Sequence, residues 1–525
     1  MPSLEHVTAH LKSKRVEIME RKFVATIDQG TTGTRFAVFN SDGTIVAYSY
    51  AEHKQIYPQP GWVEHDPMEI WRNTQRVIKE TMKSSGIKPD EIAAIGVTNQ
   101  RETTVVWDPQ TGKPYCNAIV WQCTRTRKIC EELKTEGLEP LIRSRTGLYI
   151  STYFSGPKIK WILDTLPNVR EAAEKNRAIF GNMDTWIIWN LTGGPKGGSH
   201  ITDYTNASRT MLMDLNKLRW DEEILAELDI PFQMLPEIHP SSDKETYGNT
   251  SRDGVFEAEI PVCGDVGDQQ AALIGQTCFE KGDVKNTYGT GCFMLMNTGK
   301  EPVMSKHGLI TTCAYSFEKE RCSYALEGSI AIAGAAIQWL RDNLKIIKSA
   351  SETEEIARAI AKEGSGGAYF VPAFSGLFAP YWDMSARGCI VGITRYTRKE
   401  HIIHAALEAI CYQTRDVLEA MMEDSGIRID ELRADGGASV NNYLMQLQSD
   451  ILGVKVIRPI VTETTALGAA YSAGLAIGFW ESLDEIRRNW KVDRVFRPEW
   501  SEEKRQRMYT GWKRAVERSM RWAEE

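Results

Sequence analysis

The chain lacks the marks of several large protein classes. None of its ten cysteines is paired in a Cys-x-x-Cys spacing, so neither a zinc knuckle nor a thioredoxin-type redox motif is present. The thiols sit in apolar stretches such as Ile119 to Cys123, the pattern of reduced, buried thiols in a cytoplasmic protein. No uncharged apolar run is long enough to cross a bilayer. The longest, Ala368 to Trp382, is broken by two prolines and one glycine, so stable membrane insertion is not expected. Residues 1–21 are charged throughout and lack the apolar core of a signal peptide; they suit a short amphipathic or frayed extension. There is no long Lys/Arg block, and a net charge of −7 argues against nucleic acid as the main partner. His401 and His404 lie three apart on a predicted helix without an acidic partner pattern, which reads as packing rather than metal binding.

What remains is an ordinary globular composition, 42% apolar and 25% charged over 525 residues. That is enough chain for two large domains. The most informative stretch is Lys22 to Asn40. Two β-prone runs, Phe23 to Ile27 and Phe36 to Phe39, flank Asp28 and a Gly30-Thr31-Thr32-Gly33-Thr34 turn, which predicts a hairpin. Small turn residues let backbone N–H groups crowd toward an anion. Asp28 can hold a hydrated Mg²⁺ shared with a triphosphate, and Arg35 can pair with a phosphate oxygen. A Walker loop is excluded, because the Gly-Lys-Ser/Thr ending and its helix are missing. A plain surface hairpin with a solvated acid would share this pattern.

Further along, Asp66 and Pro67 predict a helix start with Glu69 closing a capping box, running to about Lys83 and stopping at Gly86. A strand follows over Ile92 to Thr98. Met82 to Ile92 is echoed by Met422 to Leu432, and Asp28-Gln-Gly-Thr-Thr by Thr287-Tyr-Gly-Thr-Gly291. Both echoes in the same order predict two copies of one α/β unit. The first copy carries an insertion between about Trp107 and Gly264, and the boundary falls near residue 275. In the second copy, Ala325 to Leu340, His401 to Met422, 465–478 and Ser501 to Trp522 read as helices. The Pro/Gly stretch 365–388 reads as a long loop.

Four loops bear chemistry. One phosphate turn comes from each copy, Thr31 to Arg35 and Gly289-Thr290-Gly291. Asp435-Gly-Gly-Ala, with Asn441 at a helix start, leaves backbone open to a flat purine. Gly267-Asp268-Gln269-Gln270 supplies an acid at a strand-to-helix turn, suited to a general base or a metal partner; an ordinary helix N-cap would also fit. Arg101 and Glu102 stand side by side at a strand end, where both reach one ligand only if the strand has already ended. Trp121 and Tyr153 suit a core as well as a pocket.

Asp28-Gln-Gly-Thr-Thr, Gly61-Trp-Val-Glu-His-Asp-Pro, Thr98-Asn-Gln-Arg-Glu-Thr-Thr, Gly267-Asp-Gln-Gln, Asn286-Thr-Tyr-Gly-Thr-Gly-Cys-Phe and Asp435-Gly-Gly-Ala together resemble the FGGY carbohydrate kinases, and among them those that phosphorylate glycerol. The resemblance spans roughly 22–520. It implies an α/β fold of two ribonuclease-H-like domains of the actin, Hsp70 and hexokinase type, 22–274 and 275–525, closing a central cleft over ATP and glycerol. Asp268 would then be the base for the glycerol hydroxyl, and Asp28 with Asp268 the Mg²⁺ acids. Arg101, Glu102, Tyr153, Asp268 and Gln269 match glycerol's hydrogen-bond partners, and Trp121 and Phe293 its apolar wall. Thr31, Thr32, Gly33, Arg35, Thr290, Gly334, Gln338, Gly437 and Asn441 match nucleotide contacts, for ATP and the product ADP. The resemblance also implies a homodimer or homotetramer.

Two departures stand out. Position 33 is Gly where the family often has Ser. Val255 to Ile260 carries Glu257 and Glu259 where some members bind fructose 1,6-bisphosphate through a basic loop, so no inhibition through this segment is expected. The alternatives are a related kinase for xylulose or gluconate, and a nucleotide switch of the actin type. The Arg101, Glu102 and Asp268 set weighs against the switch.

Overall fold

The computed structural model describes residues 21–523; the extension expected over 1–21 falls, apart from Arg21, outside them. The predicted hairpin is present. β1 (Phe23–Gln29) and β2 (Gly33–Phe39) pair antiparallel, with Asp28 opposite Arg35. β3 (Ile45–Glu52) extends the pair along the edge of the sheet. Helix α1 (Pro67–Ser85) starts as predicted, the Asp66 carboxylate accepting from the Met68 amide, and stops at a left-handed Gly86. The capping box does not form. The Glu69 carboxylate accepts instead from the Lys54 backbone amide, 3.2 Å away, and so ties the helix to the chain leaving β3.

β4 (Ile92–Asn99) runs parallel to β1 on the side away from β2. The short β5 (Gly248–Asn249) and β6 (Pro261–Gly267) complete a six-stranded sheet ordered β5-β6-β4-β1-β2-β3. β7 (Val284–Tyr288) and β8 (Cys292–Gly299) open the second sheet, followed by β9 (Ile310–Glu318), β10 (Arg321–Ile330), β11 (Glu431–Asp435), β12 (Lys455–Pro459) and β13 (Val492–Phe496). Its order is β9-β10-β8-β7-β11-β12-β13. The run β3-β2-β1-β4-β6 thus recurs as β10-β8-β7-β11-β12, with each antiparallel and parallel pairing repeated. The duplication read from two short echoes is a duplication of sheets.

One predicted helix is wrong. Ala325 to Ile330 belongs to β10, and the helix that follows begins only at Gly334. A small, apolar run suits a strand buried on both faces as well as a helix. Here β8 and β9 flank the segment and take its backbone groups into their ladders. The expected loop 365–388 also contains a short strand, Tyr369–Val371, paired with Cys389–Val391.

Two helices cross between the sheets. α2 (Asp268–Gly275) leaves the end of β6, and α4 (Thr464–Ile477) lies against the first sheet although it belongs to the second half of the chain. Their composition is set by closeness. A Cβ on Gly468 would lie 1.8 Å from the Ala271 carbonyl oxygen, and one on Gly96 of β4 would lie 2.2 Å from that of Ala469. Ala271, Leu273, Ala466, Ala469, Ala470 and Ala473 fill the seam together with Leu295, Ala314 and Ala325 of the second sheet. The insertion builds a separate core around Ile142, Leu148, Phe154 and Ile224. The C-terminal stripe packs as read: Trp512 and Val516 are buried, and Met508 and Met520 lie against the second core.

Candidate active site

The site forms where β1, β4 and β6 end side by side. Asp28 is level with Thr98, and Thr98 with Val266, so Asp28 and Asp268 emerge at the same edge of one sheet. Burial lifts the Asp28 carboxyl to about 7. Arg35 opposes that rise, and the negative charges of Asp268 and Glu463 add to it. Asp268 opens α2, at the positive end of the helix. Its Oδ1 accepts from the Gln269 amide at 2.7 Å and lies 3.0 Å from Arg101 Nε. Burial is the largest influence on Asp268 and raises it; Arg101 and Lys285 oppose, and Glu327 reinforces.

The strand ends at Asn99, before Arg101. Glu102 then takes a left-handed φ of 60°, and the two side chains join one network. Arg101 grips Glu327 of β10 with both terminal nitrogens, Nη1 to Oε2 at 2.5 Å and Nη2 to Oε1 at 3.1 Å. Arg209 donates to Glu102 at 2.6 Å and to Glu327 at 3.0 Å. All four groups are buried. Gln269 accepts from Lys285 at 2.6 Å. Lys158 donates to the Phe154 carbonyl at 3.1 Å and to that of Tyr153, which fixes the Tyr153 backbone. Burial brings the Lys158 ammonium down to about 7.

An aromatic wall faces these charges. Trp121 meets Tyr153 edge to face at 5.5 Å and Phe293 at 6.4 Å. Its indole N–H donates to Thr31 Oγ1 at 3.0 Å, so the wall is bonded to the phosphate turn. Directed polar groups opposite one apolar surface can orient a small polyol, which has no charge to hold.

The two turns match. The Gly30 amide donates to the Gly33 carbonyl and the Gly289 amide to that of Gly291, each at 2.9 Å. Gly334 presses on the second turn; a Cβ there would lie 2.6 Å from the Gly289 oxygen. Thr290 and Gln338 are exposed, and a Cβ on Gly437 would meet open space. Asn441 caps α3 (Asn442–Leu452), accepting from the Leu444 amide at 2.9 Å. Arg35 does not stand free: it is paired with Glu463, the residue before α4.

Glu327, Arg209, Lys285 and Lys158 escaped the sequence reading. The signal for Glu327 was a single acid within Tyr324-Ala-Leu-Glu-Gly-Ser-Ile330, a charge that the burial of its neighbours forces to find partners. Among the described residues, no group of three or more His, Cys, Asp or Glu forms a metal cage. Two carboxylates at one strand edge fit a Mg²⁺ ion that completes its shell with phosphate oxygens and water.

Two sheets of one topology, each ending in a Gly/Thr turn, with buried carboxylates at the end of the first, define a protein of the actin and hexokinase fold class. The comparisons narrow the class. Residues 23–275 match the N-terminal domain of the FGGY family of carbohydrate kinases, and 284–477 match its C-terminal domain. The chain belongs to this family.

Glycerol kinase of Caldanaerobacter subterraneus subsp. tengcongensis is 60% identical over 504 residues, covering 96% of this chain and 100% of the relative. Glycerol kinase 2 of Thermotoga maritima is 59% identical over 501 residues, covering 95% and 99%. The crystal structure of Plasmodium falciparum glycerol kinase with ADP superposes with a TM-score of 0.88 at 40% identity, covering 95% and 98%. Gluconate kinase of Lactobacillus acidophilus shares the fold, with a TM-score of 0.84 at 22% identity over 95% of this chain and 98% of that one.

Proposed function

We infer that this chain transfers the γ-phosphoryl group of ATP to glycerol, giving sn-glycerol 3-phosphate and ADP. The observation that carries this is full-length identity of about 60% to proteins named glycerol kinase, against 22% to a gluconate kinase of the same fold. The aromatic wall supports the same choice: Trp121, with Tyr153 at 5.5 Å and Phe293 at 6.4 Å, would shorten a pocket that a five-carbon sugar or a six-carbon sugar acid needs.

In this reading, Arg101, Glu102, Tyr153 and Gln269 orient the triol against Trp121 and Phe293. Asp268 accepts the proton of the attacking hydroxyl; its raised carboxyl and its place at the cleft suit a base that must hold a proton briefly. Thr31, Thr32, Gly33 and Arg35 from one half, with Thr290, Gly334, Gln338, Gly437 and Asn441 from the other, hold the nucleotide. Arg35 must exchange Glu463 for phosphate to do so. Mg²⁺, held by Asp28 and Asp268, would screen the charge of the transferring phosphates. The reading divides the chain into domains 22–274 and 275–525, and extends to a homodimer or homotetramer in the cytoplasm. Among the described residues no helix is long and apolar enough to cross a membrane.

A panel of glycerol, xylulose, gluconate and other polyols with MgATP, read by coupled ADP release, tests the assignment. ADP release that depends on glycerol far more than on the others is expected. Preference for a sugar, or ATP hydrolysis indifferent to every alcohol, would overturn it.

A further inference from the structure

Tyr50 lies on the edge strand β3 directly opposite Arg35, which is itself opposite Asp28. Directly paired residues on neighbouring strands point to the same face of a sheet. Acid, guanidinium and phenol therefore form one row across three strands, at the end of the sheet where the Thr31–Gly33 turn sits.

The phenol leans back along the sheet over Gly33. A Cβ built on Gly33 would lie 2.5 Å from the Tyr50 hydroxyl oxygen and 2.6 Å from its Cζ. The tip of Tyr50, together with the Ala51 carbonyl oxygen 2.6 Å from the same point, occupies the volume that a side chain at position 33 would fill. The hydroxyl reaches 3.2 Å from Thr32 Oγ1. The remainder of the residue stays wet, at 44% exposure, so burial of the ring does not explain its placement. A phenol both donates and accepts. Thr32 takes one of those capacities and leaves the other. On the neighbouring strand the Arg35 guanidinium lies 5.9 Å from the Tyr48 ring, and its Nε is buried without a partner.

We propose that Tyr50 is a phosphate-binding residue of the nucleotide site, its phenolic O–H donating to a phosphate oxygen held in the Thr31–Gly33 turn, from the position that a hydroxyl-bearing residue 33 would otherwise command. The proposal rests on the kinase reading above. Its chemistry is that of a neutral donor meeting an acceptor-only polyphosphate, next to the cationic donor Arg35. The ligand class is a nucleoside triphosphate.

Tyr50→Phe keeps the ring over Gly33 and removes only the hydroxyl. Wild type and variant are compared for KM of ATP and of glycerol, for ATP and ADP binding by calorimetry without glycerol, and for melting temperature. The expected result is a rise of about three- to tenfold in the ATP KM and Kd, with the glycerol KM and the melting temperature unchanged. Unchanged ATP binding would overturn the proposal. Equal losses toward ATP and glycerol with a lowered melting temperature would overturn it too, by showing that the hydroxyl only props the turn. If the wild type released no ADP with glycerol, the kinase reading would fall, while the calorimetric comparison would still decide Tyr50.

Discussion

Arg101 and Glu327 join the two halves of the chain by a two-pronged ion pair with both side chains buried, 2 and 0% exposed. Burial alone would raise the Glu327 carboxyl, but Arg101 and Arg209 overrule it and hold the group at about 2. The pair does more than hold the lobes: it fixes the guanidinium whose Nε faces Asp268.

Replacement Glu327→Gln leaves two buried guanidinium groups short of an anion. Breaking a buried pair from one side costs about 3–5 kcal/mol, and chemical denaturation of the variant at pH 7 should show a loss of that size. The sign with pH follows from the depressed carboxyl. Its contribution is present above the unfolded value near 4.3 and is lost as pH falls toward 2. The gap between parent and variant should therefore narrow on acidification.

Asp268→Asn tests the base. The amide keeps the side chain's shape and its contact with the Gln269 amide but cannot take a proton. General-base removal costs about 10²–10⁴-fold, so turnover should drop by at least two orders of magnitude. ADP binding, measured by calorimetry, should persist. Near-parental turnover would remove Asp268 from the mechanism.

A second group of carboxyls clusters around Asp265 of β6. Asp184, Asp203 and Asp265 are all buried, and neither oxygen of Asp265 has a donor partner. Burial first, then the charges of Asp184 and Asp203, push Asp265 far up. Thr202 and Asn99 donate to Asp184, and Ser241, Thr205 and Asn206 to Asp203. The folded chain thus keeps protons that the unfolded chain releases above about pH 4, and stability declines as pH rises past that point. Asp265→Asn should melt at a higher temperature than the parent at pH 8, with the difference shrinking toward pH 4. A constant difference across that range would contradict this account.

Gly468→Ala forces a methyl against the Ala271 carbonyl, 1.8 Å from where the Cβ must go. Overpacking costs about 1–3 kcal/mol and more where backbone must shift. A fall in melting temperature is expected, along with a fall in kcat because α2 carries Asp268.

The hairpin at Phe23 to Phe39 and the strand from Ile92 were legible because Gly, Asp and Thr clusters mark turns by their own chemistry. The two echoes disclosed the duplicated unit for the same reason. Ala325 to Ile330 was misread because a small apolar run has no period of its own; its ladder partners, Cys292 to Asn297 and Ile310 to Thr312, decide it. The Glu69 carboxylate went to Lys54 because a nearby chain offered a better donor than the helix's own start. Glu327 and Arg209 were out of reach for another reason: their pairing spans 118 residues, and no local spacing encodes it.

The crossing of α2 and α4 also bears on how the chain is made. The helix that seals one face of the first sheet is synthesised long after the strands it covers. Until residues 464–477 leave the ribosome, Val24, Ala94 and Val266 lack their final neighbours, and the leading half must wait with sticky surface showing. Residues 22–274 expressed alone should aggregate, and co-expression with the trailing half should rescue them.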